Sequence, residues 1–280
     1  MEKYRLLREA VEARVQPLTV HIPDAVARRD LELVHDPEYL DRVAEGSLTR
    51  EEVLRIGLPW STELVERASR SCGATVGALD RALDVGIAAS LAGGTHHAFR
   101  DRGEGYCLYN DAVVAARVAQ RDRDIDRVLL VDLDVHQGNG SAVLAAGDPS
   151  IFTLSVHCAR NYPDPKEESD LDIALPAGTG DDAYLAALEP ALEEAFDRSD
   201  PELVIYLAGA DPLVHDRLGR LELTADGLAE RDQRVLDTTE SRGLPTVITM
   251  AGGYSEPISA TVEVQVETIR RASKSWQRRR

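Results

Sequence analysis

The stretch Arg127–Gly140, RVLLVDLDVHQGNG, decides the fold of this chain. Its first half, Arg127–Leu133, is an almost continuous apolar run, which is typical of a strand buried on both faces of a sheet. Polar residues and glycines follow the run at once. Similar runs recur along the chain, and they predict further strands at Val85–Leu91, Ile151–Val156, Leu203–Leu207 and Thr246–Met250.

Amphipathic stretches of helix length separate these runs. They predict helices near Thr62–Leu83, Asp111–Arg121, Ala183–Asp197, Ala225–Ser241 and Pro257–Ala272. Alternation of strands and helices predicts an α/β fold, a doubly wound and mostly parallel sheet flanked by helices. No internal repeat or low-complexity linker divides the 280 residues, so we expect a single domain over residues 1–280.

Three segments outside these elements also carry predictions. Asn161–Gly180, with three prolines and a charged cluster, is predicted to be a long loop. Leu33–Leu40 indicates a turn into a short helix, and Thr49–Glu52 has the pattern of a capping box that opens another.

The charge balance limits the classes of partner. The chain has 32 Lys and Arg against 49 Asp and Glu, a net charge of −17. A polyanion would be repelled, so nucleic acid is an unexpected partner. A cationic substrate is compatible with the charge. However, only three of the basic residues are lysines, and adaptation to a salt-rich cytoplasm or GC-rich coding explains this acidic, arginine-heavy balance equally well.

Cysteine usage and hydropathy indicate the compartment. Cys72, Cys107 and Cys158 are far apart, odd in number and without CxxC spacing, which argues against a disulfide framework or a thiolate zinc site. No apolar run approaches the roughly 18–20 residues of a membrane span. We therefore expect a cytoplasmic protein with no membrane partner.

Four predicted strands end in polar or glycine-rich segments, and this is the main sign of a functional site. In open parallel sheets, ligands bind outside the carboxyl ends of the strands. We therefore expect the side chains of these segments to meet in one site. The segments are Leu91–His97, Val131–His136, Leu207–Pro212 and Met250–Tyr254.

Asp134, His136 and Asp211 form a candidate metal site. Asp134 and His136 are two residues apart, so on an extended chain they leave from the same face. Two carboxylates offset the charge of a divalent cation, and three protein ligands leave an open position, as in catalytic zinc sites. Oxygen-rich ligation also suits Fe(II), Mn(II) or Co(II). Alone, Asp134 and His136 would be an ordinary polar pair at a strand end; the neighbouring His96, His97 and Tyr254 favour the metal.

The remaining polar groups suit metal-assisted hydrolysis, in which the ion polarises a carbonyl and activates water. His96 and His97 could serve as general base and general acid. The Tyr254 hydroxyl could hydrogen-bond the developing oxyanion. Each motif taken singly also has a structural explanation, since two histidines can cap a turn and Gly-Gly-Tyr can form a simple strand exit.

At these residues the sequence resembles the zinc-dependent histone deacetylase family, whose α/β fold is shared with the arginases. The likeness runs from about Leu33 to Thr268. The pattern Ala208–Asp211 followed by Asp216–Gly219 is most similar to the class IV branch and its bacterial relatives. The segments that carry the likeness are Gly93–Ala98, Gly105–Asp111, Asp132–Gly140 and Gly252–Tyr254.

The resemblance implies roles for individual residues. Asp134, His136 and Asp211 would bind zinc, with His96 and His97 as the catalytic pair. Tyr254 would assist at the carbonyl, and Asp132 would hold His96 from behind. Gly105, Tyr106 and Tyr162 would line a channel for the acyl-lysine stem. A structural potassium ion would lie near the backbone of Asp132, Asp134 and His136, with contributions from Ser155 and Val156.

Two departures from the family pattern carry expectations of their own. Asn139 stands where many members have a carboxylate beside the second histidine. Its neutral side chain predicts a lowered pKa for His97 and favours His96 as the base. Members of the family also carry a strand ahead of a segment like Lys3–Arg5, which here nearly begins the chain, so we expect the N-terminal strand to be missing.

The sequence therefore predicts a metal-dependent amidohydrolase that removes an acyl group, acetyl or longer, from acylated lysine or a related amine. An acetylpolyamine or small-amide deacetylase is the first alternative. A catalytically silent binding module is the second. Ureohydrolase chemistry with two manganese ions is poorly supported, because Gly209–Val214 offers one carboxylate. The acyl length and the oligomeric state are left open.

Overall fold

Six strands run parallel in one sheet, as the alternation of strands and helices predicts. The computed structural model describes residues 2–279. The strands are β1 (Ile87–Ala89), β2 (Val128–Asp132), β3 (Ile151–Cys158), β4 (Leu171–Leu175), β5 (Leu203–Leu207) and β6 (Thr246–Thr249). Their order across the sheet is β1-β6-β5-β2-β3-β4, and every pair is parallel. The central strand β2 aligns Val128 with Ile151 on one side and Leu203 on the other.

Ten helices surround this sheet in the described part of the chain. They are α1 (Glu2–Arg14), α2 (Arg28–Leu31), α3 (Pro37–Glu45), α4 (Arg50–Ile56), α5 (Thr62–Val85), α6 (Asp111–Asp122), α7 (Asn139–Ala145), α8 (Asp181–Ser199), α9 (Ala225–Ser241) and α10 (Ile258–Arg278). No helix within residues 2–279 combines the length and the apolar character needed to cross a membrane.

The sheet has a hydrophobic core on each face, which explains the continuous apolar runs. Leu129 and Val131 pack with side chains of α1, α8, α9 and α10. Val128 and Leu130 point the other way and pack with α3, α5 and α6. Because successive side chains of a strand face opposite sides, a strand covered on both faces must be apolar at every position.

The local predictions for the first third of the chain hold well. The Thr49 side chain accepts from the Glu52 backbone and the Glu52 side chain accepts from the Thr49 backbone, so the capping box is present at the start of α4. The turn predicted within Leu33–Leu40 leads into α3 at Pro37. The predicted strand Val85–Leu91 is shorter than expected, because α5 continues to Val85 and ends at Gly86, whose φ is 89°.

The loop prediction for Asn161–Gly180 is wrong in one part, because the segment contains β4. Leu171 pairs with Leu154 of β3, and the parallel ladder continues to Leu175. This strand forms the outer edge of the sheet and is mostly half-buried. A strand in that position needs fewer apolar residues, so its run is short and interrupted by polar residues, unlike the central strands.

Candidate active site

Hydrogen bonds beyond the strands bring four strand ends together at the carboxyl edge of the sheet. Leu133 N donates to Leu207 O at 3.1 Å, which joins the segments after β2 and β5. Ala251 N donates to the carbonyl oxygen of Gly93 at 3.1 Å, which joins the segments after β6 and β1. The structure thereby gathers the predicted polar residues at one place.

Asp134, His136 and Asp211, the triad, meet in a buried cluster. His136 Nδ1 lies 2.9 Å from Asp134 Oδ1 and 3.2 Å from Asp211 Oδ2. One ligand atom from each residue lies within 4.8 Å of the others. Gly252 N donates to Asp134 Oδ2 at 2.7 Å, and Val135 N donates to Asp211 Oδ1 at 3.0 Å. These backbone bonds aim the remaining carboxylate oxygens at the imidazole.

The donor chemistry of the triad fits a divalent cation. Asp211 Oδ2 is buried and makes no hydrogen bond, although burying an unpaired carboxylate oxygen is costly. Burial and the charge of Asp134 raise the pKa of Asp211 to about 6. Burial alone would lower the pKa of His136, but its hydrogen bond with Asp134 and the charge of the nearby Asp211 carboxylate raise it to about 10. The pocket thus favours positive charge between two carboxylates, and the ligand set Asp₂His is one that zinc accepts.

Close packing of the backbone shapes this pocket. A Cβ atom on Gly252 would stand 1.9 Å from Asp211 Oδ2, so any side chain there would displace a ligand of the triad. The turn that contains Gly252 is stabilised from α1, where the buried Lys3 ammonium lies 3.4 Å from the carbonyl oxygens of Ala251 and Gly253. No role for Lys3 was predicted from the sequence, although the segment Lys3–Arg5 resembles one found in the family.

His96 and His97, the histidine pair, lie beside the triad. His96 Nε2 is 3.9 Å from Asp134 Oδ1 and 3.1 Å from His97 Nε2. On the far side of its ring, His96 Nδ1 lies 2.6 Å from Asp132 Oδ2, the contact that the resemblance implies. His97 Nδ1 lies 2.7 Å from Asn139 Oδ1. Each imidazole is therefore held through Nδ1 and presents Nε2 to the site.

The pKa values of the two histidines are shifted in opposite directions. Burial lowers the pKa of His96, but the charges of Asp132 and Asp134 outweigh it and raise the pKa to about 9. Burial and then the charges of His96 and His136 lower the pKa of His97 well below its usual value. The lowered pKa of His97 has the expected direction, but its main cause is burial and not the neutral side chain of Asn139. The expectation that His96 is the base stays a prediction.

Tyr254 lies in the segment that follows β6, beside the triad. Burial and then the charges of Asp211 and Asp134 raise the pKa of the Tyr254 phenol well above its usual value, so the hydroxyl keeps its proton. The backbone N of Tyr254 donates to Asp216 Oδ2 at 2.6 Å. Asp216 was part of a motif noted in the sequence, but the contact itself was not predicted.

The residues predicted to line the channel flank the histidine pair and Tyr254. A Cβ on Gly105 would stand 2.5 Å from His97 Cδ2, so only glycine lets the backbone approach that ring. The Tyr162 ring lies edge-on to His97 with centroids 5.0 Å apart. The Tyr106 ring is 6.1 Å from that of Tyr254, and the residue is 46% exposed. One half-exposed aromatic ring thus stands beside His97 and another beside Tyr254.

The predicted potassium site falls where β2 ends, beside the middle of β3. Asp132 and Ser155 are partners in the register of these strands. Ser155 Oγ lies 3.0 Å from His157 Nδ1, and Asp132 Oδ1 accepts from Asp134 N at 3.1 Å. The potassium ion itself stays a prediction for this set of residues: Asp132, Asp134, His136, Ser155 and Val156.

A buried arginine supports the triad from below and was not found from the sequence. Arg231 of α9 donates through Nη1 to Gly209 O at 2.6 Å and to Leu133 O at 3.2 Å. Its Nη2 lies 2.8 Å from Asp232 Oδ1. Gly209 and Leu133 closely precede Asp211 and Asp134. In the sequence, Arg231 is one charge among many in an amphipathic helix, so nothing distinguishes it.

Comparisons with known proteins agree with this architecture. The family described as "Histone deacetylase domain" matches residues 1–269. A protein of Picosynechococcus sp. described as uncharacterized is 44% identical over 260 residues, which cover 92% of this chain and 87% of that protein. Histone deacetylase 2 of Arabidopsis thaliana is 31% identical over 259 residues, 89% of this chain and 67% of its own.

A histone deacetylase-like amidohydrolase of Pseudomonas aeruginosa is 29% identical over 243 residues, which cover 81% of this chain and 64% of that protein. These relatives do not single out the class IV branch. The family match covers nearly the whole chain and includes every residue of the buried triad. The chain therefore belongs to the histone deacetylase family, as a hydrolase with a buried Asp134–His136–Asp211 site suited to a divalent metal.

Proposed function

We propose that this protein is a zinc-dependent deacylase that hydrolyses the amide of an acylated lysine or a related amine. The observation that carries the proposal is the position of the histidine pair, with His96 Nε2 3.9 Å from Asp134 Oδ1 of the triad. Proton-transfer groups next to a divalent-metal site, at the carboxyl ends of parallel strands, are the equipment for metal-assisted hydrolysis.

Asp134, His136 and Asp211 would hold the zinc ion; Fe²⁺ is a second candidate, because two of the three ligands are oxygens. When bound, the ion polarises the amide carbonyl and lowers the pKa of water. Three protein ligands leave room for substrate beside the ion. The residues around the triad supply the rest of the chemistry.

The histidine pair transfers the protons in the reaction. The attacking water loses a proton to Nε2 of His97, whose lowered pKa favours the neutral ring and whose Nε2 lies 3.1 Å from His96 Nε2. Asp132 keeps the proton on His96 Nδ1 and stabilises the positive charge of that ring. As the new C–O bond forms and the C–N bond breaks, an imidazolium of the pair gives a proton to the leaving amine nitrogen.

Tyr254 and the aromatic rings orient the substrate. The Tyr254 hydroxyl donates to the carbonyl oxygen of the substrate as negative charge develops there. Its raised pKa keeps that donor intact over the physiological range. Tyr106 and Tyr162 would enclose the apolar stem that leads to the amide, with the cationic or peptide end of the substrate outside.

The proposal also covers context. We place the protein in the class IV branch on the pattern Ala208–Asp211 with Asp216–Gly219. Its proposed setting is the cytoplasm, because all three cysteines are unpaired and buried. Its proposed organisation is a single catalytic domain, and its proposed partner is the acylated amine alone.

Metal analysis combined with an acyl-chain panel tests the proposal. We expect one zinc per chain, and release of acetate or a longer fatty acid from acyl-lysine peptides. Tyr254→Phe serves as the control for contaminating activity. No turnover with any acyl length in zinc-loaded protein would refute the deacylase, and two metal ions per chain would favour ureohydrolase chemistry. A higher kcat/KM for acetylspermidine than for the acyl-lysine peptide would identify acetylated polyamines as the preferred substrate class.

A further inference from the structure

A carboxylate outside the described catalytic set lies two hydrogen bonds away from His97. Glu104 Oε1 accepts from Asn139 Nδ2 at 3.1 Å, and Asn139 Oδ1 lies 2.7 Å from His97 Nδ1. The same Glu104 oxygen accepts from the hydroxyl of Tyr162. The Glu104 side chain is only 15% exposed. Asn139 therefore bridges a largely buried carboxylate and an imidazole.

The bridge matters because an amide has two different ends. Asn139 could face His97 with either its oxygen or its NH₂ group. A carboxylate only accepts hydrogen bonds, so Glu104 requires the NH₂ group of Asn139 on its own side. The amide oxygen then faces His97, and an oxygen in that place requires His97 to carry its proton on Nδ1. The lone pair of a neutral His97 is thereby left on Nε2.

We infer that Glu104 is a positioning residue that sets the tautomer of His97 through Asn139. This inference rests on the proposed deacylase function, because it assigns the device that keeps Nε2 of His97 free to accept a proton. His96 has a carboxylate in direct contact, since Asp132 Oδ2 is 2.6 Å from its Nδ1. For His97, the side-chain amide of Asn139 lies between the ring and the carboxylate of Glu104. The ring is oriented in this way without a full negative charge in direct contact with it.

Glu104 also holds Tyr162, and this second contact needs a control. Tyr162→Phe removes the hydroxyl that donates to Glu104 and leaves Asn139 and its hydrogen bonds unchanged. If Glu104 served only to hold the channel wall, Tyr162→Phe and Glu104→Ala would have the same effect. The inference instead predicts that Glu104→Ala lowers kcat about tenfold with KM changed less than about twofold, whereas Tyr162→Phe acts mainly on KM.

A charge swap gives a sharper kinetic test. Asn139→Asp places a second carboxylate next to Glu104, and two carboxylates at that distance repel each other. We expect Glu104→Gln to lower kcat in the wild-type background and to raise it in the Asn139→Asp background. A purely structural role for Glu104 would have the same sign in both. Equal effects in the two backgrounds would overturn the inference.

The tautomer can also be observed without turnover. In the full chain labelled with ¹⁵N-histidine and loaded with zinc, the ring nitrogens report which atom carries the proton, and a His97→Gln spectrum assigns the signal. We expect the Nδ1–H form of His97 in the wild type and a new Nε2–H signal in Glu104→Ala. Persistence of the wild-type signal in a folded Glu104→Ala variant would refute the inference. This outcome is independent of whether any acyl substrate is cleaved, so failure of the proposed function is recognised separately.

Discussion

Replacing the buried Arg231 by methionine should destabilise the protein and weaken the metal site together. The guanidinium is fully buried, pairs with Asp232 at 2.8 Å, and donates to the carbonyl oxygens of Gly209 and Leu133. Methionine fills most of the volume but donates to none of them. Asp232 would keep the hydroxyls of Tyr206 at 2.5 Å and Thr268 at 2.6 Å as donors but would lose the cation that pairs with it within residues 2–279.

The magnitude follows from the unpaired charge. Removing one partner of a buried ion pair costs about 3–5 kcal/mol, mainly because the remaining charge stays buried. We therefore expect Arg231→Met to lower the free energy of unfolding by about 4 kcal/mol. Adding Asp232→Asn removes the unpaired buried charge and should recover about half of the lost free energy of unfolding. The affinity for zinc should fall about 10–100-fold, because the carbonyls that Arg231 holds lie next to two metal ligands.

Urea unfolding followed by circular dichroism measures the first effect, and competition with a chromogenic chelator measures the second. Arg234→Met, at a partly exposed position of the same helix α9 where the arginine pairs with the more exposed Glu230, is the matched control and should change the free energy of unfolding by less than about 1 kcal/mol. A loss below about 1 kcal/mol in Arg231→Met would show that the ion pair is not needed. If Arg231→Met with Asp232→Asn were less stable than Arg231→Met alone, the unpaired charge of Asp232 would not be the cause of the lost stability.

Four further predictions rest on single contacts. Burial lowers the pKa of His35 to about 4 in the folded state, so the unfolded state binds the proton more tightly. About 3 kcal/mol of the free energy of unfolding, fully present above pH 6.5, should therefore be lost as the pH falls towards 4. In urea titrations at several pH values, His35→Asn should flatten that decline. Gly105→Ala should lower kcat at least tenfold with unchanged zinc content, because its Cβ would press on the His97 ring; equal kcat would contradict the close approach. Lys3→Met should lower kcat several-fold with unchanged zinc content, since the turn before Tyr254 loses its ammonium; a change confined to KM would count against this role. Removing zinc with a chelator should lower the melting temperature, and readdition should restore it, because the ion binds only the folded chain; an unchanged melting temperature would exclude a tightly held ion.

Much of the architecture was accessible from local patterns. The central strands are buried on both faces, so each had to be an unbroken apolar run, and such runs stand out in any sequence. The edge strand β4 escaped prediction because half of it faces solvent and prolines and charges surround it. The strength of a sequence signal therefore followed the depth of burial.

The candidate site was also predicted only in part from the sequence. Asp134 and His136 were predicted as partners because two residues of extended chain place side chains on one face. The pKa values of the two histidines could not be predicted from the motif, because they depend on which charges surround each ring. The charges of Asp132 and Asp134 raise the pKa of His96, whereas burial lowers the pKa of His97.

By itself, the sequence determined the parallel α/β sheet and the chemical content of its carboxyl edge, since hydrophobic periodicity and strand-end polarity are local properties. Only the tertiary structure decided how those groups act on one another. Glu104 reaches Asn139 across 35 residues, and Arg231 reaches Leu133 across 98. Hydrogen bonds and buried charges act over a few ångströms of space, and no local pattern in the chain records which distant residues folding will bring within that range.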